Sequence, residues 1–340
     1  MNFNTSYKFI RERIDQIDPV AYAKTRNHVD GSLTNLSPYI SRGVISTQFV
    51  LRKLFKKGYQ RHEIEKLVQE LAWRDYWQQV WISKGDAINK DLKQIQPDVT
   101  NHAMPVAVAM NATGIEVVDQ SIGDLKRSGH MHNHMRMYTA SIACNIGKSH
   151  WYIPAKWMYY HLLDGDWASN ALSWQWVAGA NANKKYFANQ ENINTFFDTT
   201  QKDTFLDVAY EDFDNLSCPE IMKETYLPIL KTELPESVKL NIDISKPTLI
   251  YNYYNLDPGW RKADNVNRVL LLEPSVFEQY PVSKNSINFA LELQENIPSI
   301  QLFVGEFDAL IQQQQIENII YKEHPLNKHY HGLKDSRDWM

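Results

Sequence analysis

The sequence predicts a mainly α protein, an all-helical domain followed by a small α/β domain. Three observations carry this expectation. Residues 46–176 read as apolar stripes at helical spacing closed by glycines, and no period-2 alternation stands out before residue 240. From residue 248 onward, short β-branched or aliphatic runs alternate with helical stretches, the order of a βαβ layer. At 340 residues the chain exceeds one average domain. We divide it at 1–240, helical, and 246–340, α/β.

Taken in order, Ser46 can N-cap a helix that runs to Lys57 and ends at Gly58. Over 61–83, Ile64, Leu67, Leu71, Asp75 and Gln78 step along one stripe, and Val68, Trp73, Trp77 and Trp81 widen it. That helix is expected to be mostly buried. Further helices fit 115–128, closed by Gly129, then 132–147, closed by Gly147, then 154–163 and 167–176. Segment 198–245 reads as loops and linker, with 11 acidic residues from Glu191 to Glu236. Strands are expected at Thr248–Asn255, Arg268–Glu273 and Ile300–Val304, and helices at about 284–296 and 308–322. No internal repeat stands out.

Composition excludes several classes. Hydrophobic residues make up 43% and charged residues 22%, as in a folded globular protein. No apolar run approaches the ~18 residues of a membrane helix. The first residues, MNFNTSYKFIRERIDQ, have no apolar core and carry acids, unlike a signal peptide. Cys144 and Cys218 form no CxxC, so disulfide scaffolds and cysteine-ligated metal centres are excluded. A cytoplasmic protein fits. The net charge of −4 hides an asymmetry: residues 1–90 hold 15 Lys/Arg against 9 Asp/Glu, and 241–340 hold 9 against 13. The basic first quarter could face phosphates, and scattered surface charge explains it equally well.

No GxGxxG, Walker A, GxSxG or HExxH occurs. His130, His132 and His134 alternate in GHMHNHMRM, but only positions four apart share a helix face and no carboxylate or cysteine completes a ligand set. Polar packing or a ligand pocket is favoured over a metal. Ten Trp occur, eight of them between residues 73 and 176, a density that serves core packing, base stacking or electron transfer. Asp164 and Asp166 in HLLDGDWASN could bind a cation, work as acid and base, or accept hydrogen bonds. Arg136 could hold one of them by a bidentate pair.

GSLTNLSPYISRGVIS, ELAWRDYW, ATGIEVVDQSIGDLKRSGHMHNHMRMYTASIAC and HLLDGDWASNALSWQWVAGANANKKYF together resemble the flavin-binding half of photolyases and cryptochromes, over about Tyr22 to Phe187. The resemblance implies a photolyase-type, all-helical domain that binds flavin adenine dinucleotide (FAD). Thr34, Leu36 and Ser37 would cradle the pyrophosphate at a helix start. Tyr22 and Arg26 would line the cofactor and substrate region, and Arg74 would lie near the ring. Arg136 would pair with Asp164 beside the isoalloxazine, Asp166 would accept from its polar edge, and Asn170 would face N5. Trp174 and Trp151 match two members of an electron-transfer chain whose outer member falls near Asp98. Glu70, Trp73, Asn133, Met137 and Trp176 match positions that contact a flipped pyrimidine dimer, with Asn133 also counted beside the cofactor. His134 replaces a substrate-contacting arginine, His130 replaces a tryptophan, and Leu33 replaces a hydroxyl of the phosphate loop. The resemblance thus implies light-driven splitting of cyclobutane pyrimidine dimers in DNA, with no metal or membrane partner and the oligomeric state left open. A cryptochrome-like photoreceptor without repair activity is the alternative, and a dark flavoprotein a third reading. The tail from Asn255 to Leu310 faintly resembles the opening of the family's antenna domain.

Overall fold

The computed structural model describes residues 3–340. In chain order it holds α1 (Tyr7–Asp15), α2 (Pro19–Thr25), α3 (Ser37–Ser41), α4 (Thr47–Lys56), α5 (Arg61–Lys84), β1 (Met104–Pro105), α6 (Val106–Ala109), α7 (Glu116–Ser128), α8 (Asn133–Ser141), α9 (Tyr152–His161), α10 (Trp167–Ala178) and α11 (Gln190–Phe197). There follow α12 (Glu220–Lys223), β2 (Thr225–Tyr226), β3 (Thr248–Tyr251), β4 (Asn267–Leu272), α13 (Pro274–Gln279), α14 (Lys284–Gln294), β5 (Ile300–Val304), α15 (Phe307–Gln314), β6 (Ile319–Lys322) and β7 (Leu333–Asp335).

Two compact units divide the chain, and they interleave in sequence. One comprises residues 18–33 and 76–230; the other takes 3–17, 34–75 and 231–340. The sequence division at 240 is drawn differently: here the segments 3–17 and 34–75 join the carboxy-terminal strands. We call the two the helical unit and the sheet unit.

In the helical unit, α8, α9 and α10 surround Trp151, Trp167, Tyr138, Tyr159 and Met135, none more than 1% exposed. Residues 132–147 are not one regular helix. His132 N-caps α8, its Nδ1 accepting from the His134 N–H at 3.2 Å, and a π turn follows at Ile142–Ile146, where Gly147 N–H donates to Ile142 O at 2.8 Å. A short antiparallel pair, β1 with β2, lies in this unit in a region where no strand was expected. Two residues per strand leave no period to read.

In the sheet unit, five strands run parallel in the order β5-β4-β3-β6-β7. Both faces of the sheet are covered, so β3 is buried at all four positions and gives a continuous apolar run rather than an alternating one. One face packs Ile250, Val269, Leu271, Phe303, Phe307 and Ile319 into a single cluster. The expected helix over 308–322 is wrong in its second half. It ends at Gln314, with Gln315 in the left-handed region at φ 53°, and Ile319–Lys322 form β6 between β3 and β7. Pairing to two neighbours and burial of Ile319, Ile320 and Tyr321 outweigh local helical propensity. The first strand ends at Tyr251 instead of Asn255, because a turn closes there with Asn255 N–H donating to Asn252 O at 2.9 Å.

The helix over 61–83 is confirmed as α5, but its expected burial is only half right. Ile64, Leu67, Leu71, Gln78 and Trp81 are buried, whereas Trp73 and Tyr76 are about half exposed. They point away from the buried stripe, at positions no i, i+3/i+4 step joins to it.

Candidate functional site

In the helical unit, the acidic turn and the arginine helix meet through one glycine. Gly129 ends α7 in the left-handed region at φ 69°, and its carbonyl accepts from Leu163 N–H at 2.9 Å. A β-carbon there would sit 2.6 Å from Leu163 Cγ, so only glycine lets the α7–α8 corner reach the loop after α9. That loop delivers Asp164, and α8 delivers Arg136. Their side chains form an ion pair at 3.0 Å, with the carboxylate 8% exposed, and Arg136 Nε also donates to Met131 O at 3.0 Å. A desolvated charge-assisted pair of this kind is rigid, and breaking one partner would leave the other charge buried.

Asp166, two residues on, has structural work. It N-caps α10, one oxygen accepting from Ser169 N–H at 2.8 Å, and its other oxygen accepts from the buried Gln78 amide of α5. Gln78 was read only as a core position of its helix; the partner it supports lies 88 residues away. Asn170, on the next turn of α10, donates to Ala155 O of α9 at 2.8 Å. The donor set Arg136, Asp164, Asp166 and Asn170 therefore lies on α8, the acidic loop and the start of α10 with its polar groups held in place. These groups suit the polar edge of a flavin ring.

The aromatic pair is buried. Trp174 is 2% exposed and Trp151 fully enclosed. Trp151 Nε1 donates to Asp91 at 2.7 Å, and the same carboxylate oxygen lies 3.0 Å from His150 Nε2. Burial pulls the His150 imidazole down, with Asp91 opposing. Asp91 was not singled out from sequence; it sits in an irregular segment 60 residues from its indole partner. Asp98, at the outer position of the chain, is an exposed residue in an ion pair with Lys185.

His134 lies inside the unit. Its ring contacts Asn27 O at 3.3 Å and packs against Tyr138 and Phe196, and burial lowers its pKa. Its neighbours on α8 differ: Asn133 is exposed and Met137 half-buried. Burial also draws His130 and His132 down to about 4. Among the described residues no three His, Cys, Asp or Glu side chains converge on a metal-sized site. Trp176 is 42% exposed, near Tyr186 at 5.8 Å. Tyr22 lies on α2 and Arg26 caps its end, donating to Ala23 O at 3.1 Å.

The remaining expected residues belong to the sheet unit. Ser37 is the first residue of α3 and is exposed; Leu36, 1% exposed, precedes it with its N–H on Thr34 Oγ1 at 3.4 Å. Asn35 takes a left-handed φ of 50°, and Arg13 Nε donates to Thr34 O at 2.8 Å, which fixes the loop. Glu70 pairs with Lys66 at 3.9 Å along α5, and Arg74 lies one turn beyond it.

Residues 67–209 match the family model described as the FAD binding domain of DNA photolyase. A deoxyribodipyrimidine photo-lyase of Streptomyces griseus is 32% identical over 160 residues, 46% of this chain and 35% of that protein. A cryptochrome DASH of Danio rerio is 30% identical over 166 residues, 46% of this chain and 32% of that protein. The chain thus spans about a third of the length of these relatives. Among solved structures, a cryptochrome from Synechocystis sp. PCC6803 superposes with a TM-score of 0.52 at 21% identity, covering 58% of this chain and 44% of that one. At that identity the likeness concerns the fold. No helix among the described residues is long and apolar enough to cross a membrane.

Proposed function

We propose that this chain, whose residues 67–209 match the model of the FAD binding domain of DNA photolyase, is a light-driven flavoprotein that splits cyclobutane pyrimidine dimers in DNA. Reduced FAD, when bound, supplies an electron on absorbing blue or near-ultraviolet light. Arg136, Asp164, Asp166 and Asn170 hold the ring; Thr34, Leu36 and Ser37 hold the pyrophosphate; Tyr22 lines the cofactor region, whereas Arg74 lines a crevice of the sheet unit. The Arg136–Asp164 pair, at 3.0 Å and largely out of water, keeps a fixed charge pattern beside the ring. Trp174 and Trp151 would offer an aromatic route between a bound flavin and an external reductant such as a thiol.

The observation that carries the repair reading is exposure of two indoles. Trp73 is 53% and Trp176 42% exposed, so each presents an indole face on which a base can stack. Glu70 and Asn133 meet base edges, Met137 contacts the dimer, and Arg26 lines the substrate region. One observation favours the photoreceptor reading: His134 is enclosed by Asn27, Tyr138 and Phe196 instead of being presented to DNA.

An absorption spectrum of the purified protein, followed by illumination with dimer-containing oligonucleotide, tests the proposal. The expected results are a bound-flavin spectrum and light-dependent loss of dimers. Bound FAD without dimer loss transfers the assignment to the photoreceptor; a colourless protein that FAD cannot reconstitute removes both.

A further inference from the structure

The sheet unit has its own ligand-binding geometry. Its strand order, β5-β4-β3-β6-β7, reverses direction between β3 and β6. In open parallel sheets, the crevice beyond the carboxyl ends of the strands at such a reversal is where ligands bind. A cavity of about 230 Å³ lies there, lined by the residues that leave β3 (Asn252, Tyr254, Asn255) and β6 (Glu323, His324), with Arg337 of the tail. Its opposite wall is the turn at Gly43, at φ 66°, whose absent β-carbon would fall 2.4 Å from Tyr254 O, so glycine is required for this approach.

From this geometry we infer that the crevice binds a compact oxyanion-bearing molecule, a phosphate monoester or a small carboxylate. Three observations support it. Asn255 is 5% exposed, and its Nδ2 has no hydrogen-bond partner among the described residues, so a buried donor awaits an acceptor. The carboxylates of the lining are already engaged by protein donors: Asp75 by Thr47 Oγ1 at 2.8 Å, Asp257 by Lys322 at 2.8 Å, Glu323 by Trp339 Nε1 at 3.1 Å and Asp338 by Ser46 at 2.5 Å. Arg74 and Arg337 bring guanidinium forks, which match planar or tetrahedral oxyanions. The enclosed His324, stacked on Tyr254 at 4.4 Å, is held neutral by burial first and then by the nearby Arg337, Arg42 and Arg74. The volume lies below the ~300–1,000 Å³ of drug-sized sites, hence a compact ligand.

The test is isothermal titration calorimetry of the full chain in the dark with inorganic phosphate, ribose 5-phosphate and succinate, each against sodium chloride at equal ionic strength. Saturable one-to-one binding of at least one probe is expected, and the responding probe separates phosphate from carboxylate. Arg337→Gln and the nearly isosteric Asn255→Asp should each weaken it at least tenfold, with circular dichroism unchanged for Asn255→Asp. No saturable heat from any probe, or parental affinity in Asn255→Asp, overturns the inference. The readout does not involve flavin, so it stands or falls apart from the proposed photochemistry.

Discussion

Replacing Asp166 by alanine removes at least two bonds at once. The first is the N-cap of α10, in which the carboxylate accepts from Ser169 N–H at 2.8 Å; such a loss costs about 0.5–2 kcal/mol. The second is the acceptor for the Gln78 side-chain amide, which is 1% exposed; depriving a buried donor costs about 1–3 kcal/mol. Together they predict a loss of about 1.5–5 kcal/mol and a melting midpoint lowered by roughly 3–20 °C. Asp166→Asn is the control. Asparagine caps helices as well as aspartate, and the Gln78 amide can turn its oxygen toward the new amide nitrogen, so the loss should stay under about 1 kcal/mol. Thermal and urea denaturation of parent and both variants measure this. Parental stability in Asp166→Ala, or equal damage in both variants, refutes the reasoning. The same proteins report on the cofactor: if Asp166 also accepts from the flavin, Asp166→Ala lowers FAD affinity by roughly ten- to a hundredfold. Unchanged affinity would show that Asp166 acts only in the fold.

Three further outcomes are expected. Trp73→Ala should weaken binding of dimer-containing DNA by roughly ten- to a hundredfold, the worth of one base–aromatic stack, and leave plain DNA little changed at the same salt; no damage preference in the parent protein removes this role. Trp174→Phe should slow photoreduction of bound oxidised FAD by an external thiol, and because Asp98 is not aromatic the parent rate should itself be modest; a variant that reduces at the parent rate excludes Trp174 from the relay. Acid should destabilise the fold well above the carboxylate range. His161 is drawn down to about 4 by burial, as are His130 and His132; since the unfolded chain binds these protons near pH 6.5, stability is full above that pH and falls as pH drops from about 6.5 toward 4. Thermal melts across this window measure the slope, His161→Phe should flatten it, and a flat parent profile contradicts the burial.

The sequence by itself determined the helices whose ends carry chemical signals. Ser46 caps α4 by accepting from Phe49 N–H, Gly129 closes α7 in the left-handed region, and α5 runs from Arg61 to Lys84 within one residue of its expected carboxy-terminal end. The family resemblance, not the local pattern, paired Arg136 with Asp164, and the structure forms that pair at 3.0 Å. Tertiary structure decided the rest, because the deciding partners are remote in sequence. Nothing local separates Ile319–Lys322 from the helix before it; only pairing between β3 and β7 makes it a strand. Nothing local marks Gln78 or Asp91, whose carboxylate and indole partners lie 88 and 60 residues away. The histidines of GHMHNHMRM could be read as ligands, packing or contacts until burial set their fate, and His134 became a packed ring against Tyr138 and Phe196. The crevice at the β3–β6 reversal is a property of strand order, and strand order exists only once the chain has closed its parallel sheet.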